Sequence, residues 1–505
     1  MEIHPDPDER PYFASSPNRP PMVTRIPEPR KPSGPPPAQA PDICGPGTAA
    51  CRFLFPLRIG EQESKARIHF MELLQLAQRL NRILVLPNVG KSRMGACFKL
   101  DFEMYYDLER LEADLLTGPA GGVATMKLEL FRRWVDAQAP GPSAQLVFIS
   151  AKLDANANVT TTFYNDDLSI RVGSLDSNSN SNTDLPGCFA KFNALRLTAH
   201  APLHIHLKRP AAPAHPIAAS IIDALTRSDA HAAASPSSES APDPDVLVLT
   251  YDLRLPIFPL PSPPPSPPTH PPTHQPQSQL QLHYAPRLHA LATLLAPPPG
   301  TPYVAVHWRM ESVAPALLPR CARALADTLD TLDTRSRWGS GGVSTVRTVW
   351  WASDYPGGLH RSGVSADGDG DGDAEGSRSA GKGVKPKSGT FRSVGALHAE
   401  AVGILGDALG EGGWEVLELT DARLAGLDLL DKGWGAEWLA DAGVRAIVDK
   451  TIGMRATLFV SGAPGCARAS SFTRQVLDER RAVFDRLKEN EDELPALQNI
   501  VELFG

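Results

Sequence analysis

Apolar positions along this chain keep two rhythms, and they alternate most regularly in its second half. Short unbroken apolar runs at 303–307, 346–351, 414–419 and 457–461 take turns with amphipathic stretches at about 316–333, 396–409, 443–455 and 472–487. Brief runs between breakers read as strands buried on both faces, and the longer three-four spacing reads as helices. Strand followed by helix, four times over, predicts a parallel sheet covered by helices. In the first half, Arg52-Phe53-Leu54-Phe55 opens a strand. From Glu63 to Leu80 the residues Ala66, Phe70, Leu73, Leu74, Ala77 and Leu80 share one helical face, and Ile83–Leu86 forms a buried strand that stops at Pro87. That is a β-α-β unit. Further strands are predicted at Leu146–Ile149 and Val246–Tyr251, and Trp350-Trp351, Phe53 and Phe55 read as core.

Breaks in the pattern set the domain organisation. The chain has 505 residues with 49 Pro and 40 Gly, and these gather in blocks. Residues 1–41 read as a disordered arm. Residues 42–295 read as an N-terminal Rossmann-like unit with low-complexity inserts at 176–183, 230–244 and 256–276. Residues 296–505 read as a second such unit, interrupted by a flexible Gly/Asp/Ser-rich loop at 362–389. Within the third insert, Pro261 to Pro268 fits either an SH3- or WW-type groove or a semi-rigid surface insert.

Charge narrows the function classes. A net charge of -7, from 50 basic and 57 acidic residues, supplies no field for nucleic acid or an anionic membrane. The six cysteines (Cys44, Cys51, Cys97, Cys188, Cys321 and Cys466) include no Cys-x-x-Cys pair, so no zinc ribbon is expected. Disulfides and reduced thiols both remain open. Residues 1–41 contain no apolar run long enough for a signal-peptide core or a membrane span, whereas Asn158-Val159-Thr160 has the form of a glycosylation acceptor. The acidic run beginning at Asp367 imitates a calcium loop but puts Arg378 where the bidentate Glu belongs. His204 and His206 share a strand face without an identifiable third ligand. No metal site is predicted.

Three segments carry candidate chemistry. In Tyr303–Arg309 an apolar strand ends in His307 and Arg309, two residues apart and therefore on one face. A guanidinium at a strand mouth suits phosphate, because its fork of donors grips two oxygens at once. Arg58, Gly60 and Glu61 form a predicted strand-to-helix loop, where glycine admits close backbone approach and the helix N-terminus favours an anion. The third segment is Asp449 with Ser470, Ser471, Phe472 and Thr473 at the start of the last helix. Ser471 is the predicted N-cap, but Arg474 stands where a capping box needs Glu or Gln. Ligands lie beyond the carboxyl ends of parallel strands, so the strand-end Arg and the helix-start hydroxyls point to one anion site.

These segments, in this order, resemble the protein O-fucosyltransferase family. Gly60-Glu61-Gln62, the helix ending Leu80-Asn81-Arg82, His307-x-Arg309, Ala352-Ser353-Asp354, and Asp449 leading to Ser470-Ser471-Phe472 are similar to that family's motifs. The match covers about 45–100 and 300–487 with gaps. The resemblance implies a GT-B-like architecture of two Rossmann-like domains facing a cleft. It implies GDP-fucose as donor, no cofactor or obligatory metal, transfer with inversion to a hydroxyl of a protein or glycan acceptor, and work in the ER or Golgi lumen. Carried over, Arg309 would hold the diphosphate and stabilise leaving GDP. Ser470, Ser471 and Phe472 would line the phosphate and nucleotide pocket, His307 and Asp449 would contact ribose or base, and Arg58, Gly60 and Glu61 would face the donor. Glu61 stands where the family often has Asn, so it is either the general base or a charge that repels the donor. Two rivals differ in class: a non-catalytic GDP-sugar-binding homologue, and a proline-rich interaction protein on an inert α/β scaffold.

Overall fold

The computed structural model describes residues 51–117, 124–150, 192, 194–197, 203–206, 222–223, 243–252, 281–335, 346–355, 358–359, 394–427, 434–468, 470–489 and 501–505. The expected arm 1–41, the inserts 176–183 and 256–276 with Pro261 to Pro268, the loop 362–389 and the Asn158 triplet lie outside the described residues. The insert predicted at 230–244 ends too late. Asp243 belongs to the ordered fold, because its carboxylate accepts from Arg82 Nη2 at 2.7 Å and pairs with Arg52.

The first half runs β1 (Phe53–Ile59), α1 (Glu63–Arg79), β2 (Ile83–Leu86), β3 (Val89–Gly90), β4 (Arg93–Gly95), α2 (Leu108–Thr117), β5 (Thr125–Lys127), α3 (Leu128–Ala137), β6 (Ala144–Ser150), β7 (Leu203–His206) and β8 (Val246–Asp252). Its sheet has the order β3-β4-β1-β8-β6-β7, with β2 paired to β1 and β5 to β2. All pairings are parallel except those of the small β3–β4 hairpin. That hairpin turns on Lys91 and Ser92, both with positive φ (50° and 62°), the requirement of a tight turn that normally selects Asn or Gly.

The second half runs α4 (Pro286–Leu295), β9 (Val304–Trp308), α5 (Leu318–Arg335), β10 (Thr348–Ser353), α6 (Ala396–Glu411), β11 (Glu415–Glu418), α7 (Asp421–Ala425), α8 (Ala436–Leu439), α9 (Ala442–Arg455), β12 (Leu458–Gly462), α10 (Ser471–Glu489) and β13 (Glu502–Phe504). Its five strands are all parallel, in the order β11-β10-β9-β12-β13. Counted in chain order that is 3-2-1-4-5, the doubly wound arrangement, whose direction reverses between β9 and β12.

The unbroken apolar character of β9 has a direct cause. Val304, Val306 and Trp308 face a core shared with α5 and α6, while Ala305 faces another that contains Trp350, Ile447 and Phe459. This second core continues without a break into Leu54, Phe70 and Leu73 of the first half. The two sheets therefore share one apolar interior, and polar contacts rim it. Asp441, at the N-terminus of α9, accepts from Gly443 N at 2.9 Å and Val444 N at 3.1 Å, and its other oxygen takes Lys91 N at 2.6 Å. Trp438 Nε1 donates to Met104 O at 3.2 Å. Of the two cysteine readings, the structure shows the oxidised one: Cys321 of α5 is bonded to Cys466 after β12, and Cys51 and Cys97 are also disulfide-bonded. Among the described residues, no helix is long and apolar enough to cross a membrane.

Candidate anion site at the strand switch

A reversal such as that between β9 and β12 leaves a crevice at the carboxyl ends of the strands, and the end of β9 meets the start of α10 there. His307 lies one pleat beyond Ala305, so it shares the face turned toward α9 and the first half. Its Nδ1 sits 2.9 Å from Thr473 Oγ1, and its ring stacks on Phe472 with centroids 4.2 Å apart and planes 11° from parallel. One ring face and one nitrogen of His307 are thus committed to the start of α10. Burial, reinforced by the charges of Arg309 and Lys450, lowers the His307 pKa to about 3, so the ring is neutral throughout the physiological range.

Helix α10 begins at Ser471, and the cap falls one residue earlier than predicted. Ser470 Oγ accepts from Phe472 N at 3.2 Å and Ser470 O from Arg474 N at 2.9 Å, which makes Ser470 the N-cap and leaves Ser471 in the first turn. Ser470 is buried; Ser471 and Phe472 are half-buried beside it.

Arg309 directly follows β9 and carries its charge to the mouth of the crevice. Its Nε donates to Glu311 Oε1 at 2.6 Å, and its Nη2 reaches the same oxygen. Glu311 belongs to a short 3-10 turn, Met310–Ser312, whose amides are gripped by Asp354 at the end of β10. Asp354 Oδ1 accepts from Met310 N at 2.8 Å and Oδ2 from Glu311 N at 3.1 Å. The Ala352-Ser353-Asp354 segment therefore fixes the loop that bears Arg309. Burial raises the Asp354 pKa to about 6 against the pull of those two amides.

Asp449 lies on α9, half-buried, where its Oδ1 accepts from Trp350 Nε1 at 3.1 Å. On the first-half side, Arg58 sits inside β1 and not in the following loop, because β4 and β8 extend along that strand and pair it in register with Gly95 and Thr250. Gly60 N donates to Tyr251 O at 2.8 Å and Gly60 O accepts from Arg93 at 3.2 Å. Glu61 is half-buried and pairs with Lys65 at 3.3 Å.

Residues that sequence reasoning passed over join the halves beneath this crevice. Lys450, fully buried on α9, places Nζ 2.5 Å from Glu63 Oε2, 2.9 Å from Ser64 Oγ, 2.8 Å from Tyr284 OH and 2.7 Å from Gln475 Oε1. Tyr284 and Tyr106 donate to the other oxygen of Glu63 at 3.0 and 3.1 Å. Burial alone would raise the Glu63 pKa, but Lys450 and Arg67 outweigh it and hold the carboxyl below its ordinary value. Burial pulls the Lys450 pKa down against the attraction of Glu63. Lys450 Nζ also lies 5.5 Å from the Phe472 ring centroid, which carries the network up to the His307 stack. A sequence signal existed. Glu63 is in phase with Ala66 and Phe70, and Lys450 interrupts the buried run Ile447, Val448, Thr451, Ile452, so each is a charge on an apolar face.

Among the described residues no cluster of three His, Cys, Asp or Glu could hold a metal ion; the side chains of His204 and His206 lie outside the described set. No family model matches the chain, and no curated protein matches it. Solved structures do. POFUT1 in complex with GDP-fucose aligns at a TM-score of 0.42 and 13% identity over 90% of this chain and 98% of that one. Its apo form gives 0.40 and 12% over 90% and 98%, and its GDP complex 0.40 and 13% over 91% and 100%. At these values the similarity transfers no residue role. The α/β architecture is shown by the two sheets themselves.

Proposed function

We propose that this protein is a GDP-fucose-dependent O-fucosyltransferase that passes fucose with inversion to a Ser/Thr hydroxyl of a protein acceptor, without an obligatory metal. The observation that carries the reading is the contact, at the reversal between β9 and β12, of His307, two residues before Arg309, with the capped start of α10. A diphosphate placed there in exchange for Glu311 meets a guanidinium, a helix N-terminus and a neutral histidine, and these donors meet the negative charge that grows on departing GDP. The motif resemblance narrows the donor to GDP-fucose, and the POFUT1 structures hold GDP-fucose and GDP. In this reading Arg309 is the catalytic cation, Ser470, Ser471, Phe472, His307 and Asp449 line the nucleotide, and Arg58, Gly60 and Glu61 face the donor from the first half. The disulfides support an oxidising secretory lumen as the place of work.

The test is a GDP and GDP-fucose titration by calorimetry, with and without EDTA, repeated on Arg309→Lys. Binding should survive EDTA, and the lysine variant should stay folded yet lose most transfer, because a point charge does not reproduce a two-toothed grip. No heat at millimolar GDP, binding abolished by EDTA, or transfer by Arg309→Lys within a few-fold of wild type would each overturn the assignment. A binding-only homologue is the second reading, favoured by the hold of Glu311 on Arg309. Donor turnover decides between them.

A further inference from the structure

Resting on the diphosphate-site reading, we infer that Glu311 is a built-in anion on the ligand-gripping edge of Arg309, a competitor that any entering anion must displace. The geometry separates this pair from an incidental surface contact. The Glu311 side chain is only 9% exposed and that of Arg309 31%, so the pair is partly withdrawn from water, where its attraction is weakly screened. Two nitrogens of one guanidinium edge, Nε and Nη2, converge on a single carboxylate oxygen, the arrangement that edge offers to a phosphoryl oxygen. Glu311 is also not free to drift, because Asp354 grips its amide at 3.1 Å and the preceding amide at 2.8 Å. The backbone thus delivers a carboxylate to the place where a phosphate would bind.

Displacement has a definite consequence. A nucleoside diphosphate brings more negative charge and more acceptor oxygens than a monophosphate, so it competes better with Glu311 for the same donors. The carboxylate, once released, stays near on its anchored turn and repels the bound anion. Glu311 therefore lowers affinity for every anion, because its displacement is a cost common to all of them and its residual repulsion grows with the charge of the ligand. Removing its charge should tighten both ligands, GDP at least as much as GMP.

The experiment is a calorimetric titration of GDP and GMP into wild type, Glu311→Gln, Arg309→Lys and the double variant, using the full chain. Glu311→Gln should bind GDP about tenfold tighter or more, a change of ~1.4 kcal/mol, with a gain for GMP no larger than that. In the Arg309→Lys background the same substitution should gain clearly less, because the contested edge is gone. If Glu311→Gln does not fold, Glu311→Asp, which keeps the charge but withdraws it from the guanidinium, should also tighten GDP. Wild type that binds GDP while Glu311→Gln binds it equally or more weakly overturns the inference and leaves the diphosphate site standing. Equal gains in both Arg309 backgrounds also overturn it. No GDP binding by any of the proteins overturns the diphosphate-site reading, and the inference with it.

Discussion

Replacing Glu63 by Gln tests how the two halves are held together, because the substitution keeps the shape and removes one charge. Glu63 and Lys450 are 2% and 1% exposed, so the ammonium left behind has no route to water. Removing one partner of a buried pair costs roughly 3–5 kcal/mol. An upper bound follows independently from Lys450 itself. Instead of staying charged it can release its proton, and from an ordinary value of 10.5 that costs about 5 kcal/mol at pH 7, at 1.36 kcal/mol per pH unit. The two estimates agree, and against a typical total stability of about 5–15 kcal/mol the loss is large. The sign of the pH dependence is fixed as well. In the variant the folded-state pKa of Lys450 lies far below its unfolded value, so stability is lost as pH falls below 10.5 and recovered as pH rises. Urea melts of both proteins at pH 7 and pH 9 supply the measurement. The difference should be about 3–5 kcal/mol at pH 7 and smaller at pH 9, by up to about 2.7 kcal/mol. A difference below 1 kcal/mol at pH 7, or one that does not change with pH, would refute the reasoning.

Three other substitutions probe the site and its supports. If Glu61 is the general base, Glu61→Gln should keep GDP affinity and lower fucose transfer by roughly 10²–10⁴-fold; if it repels the donor, affinity should rise without loss of rate, and transfer kinetics beside donor titration tell the two apart. Asp354 is raised from 3.8 to about 6 in the fold, so its stabilising contribution is present at low pH and lost as pH rises toward 6. Relative to Asp354→Asn, wild type should lose about 2 kcal/mol between pH 4 and pH 7, and parallel melting curves of the two proteins across that range would count against it. Ser92→Gly should stabilise by about 0.5–1 kcal/mol in thermal or urea unfolding, since only glycine adopts the left-handed turn without steric cost, and a destabilised variant would show that the Ser92 side chain matters more than its backbone.

Much of the second half was legible because its longer elements show their own rhythm. The predicted helix at 443–455 and strand at 457–461 appear as Ala442–Arg455 and Leu458–Gly462. Predicted N-cap Ser471 was one residue off, because two adjacent serines present the same signal and only the Phe472 amide chooses between them. Strand β13 has three residues and an exposed Leu503, too short for any period to register. The β3–β4 hairpin turns on Lys-Ser, which carries none of the usual turn chemistry. For the site, His307, Arg309 and Ser470 were readable as chemistry, but their partners were not. Glu63 and Lys450 each look like a misplaced charge, and only folding shows that the two cancel. Glu311 sits two residues from Arg309, yet its hold depends on Asp354 from the next strand.

The strand order also governs when this crevice comes into being. Val306 of β9 lies between Trp351 and Val460, so the central strand of the second sheet is paired on one side by a near neighbour in sequence and on the other by a distant one. Distant pairing is slow, because a long stretch of chain must be closed into a loop before any contact rewards it. During synthesis β9 emerges well ahead of β12, and until β12 arrives one edge of β9 is an open ladder of amides and carbonyls inviting pairing with other chains. The crevice is thus a late product of folding, and the strand that bears Arg309 is the one most in need of protection on the way there.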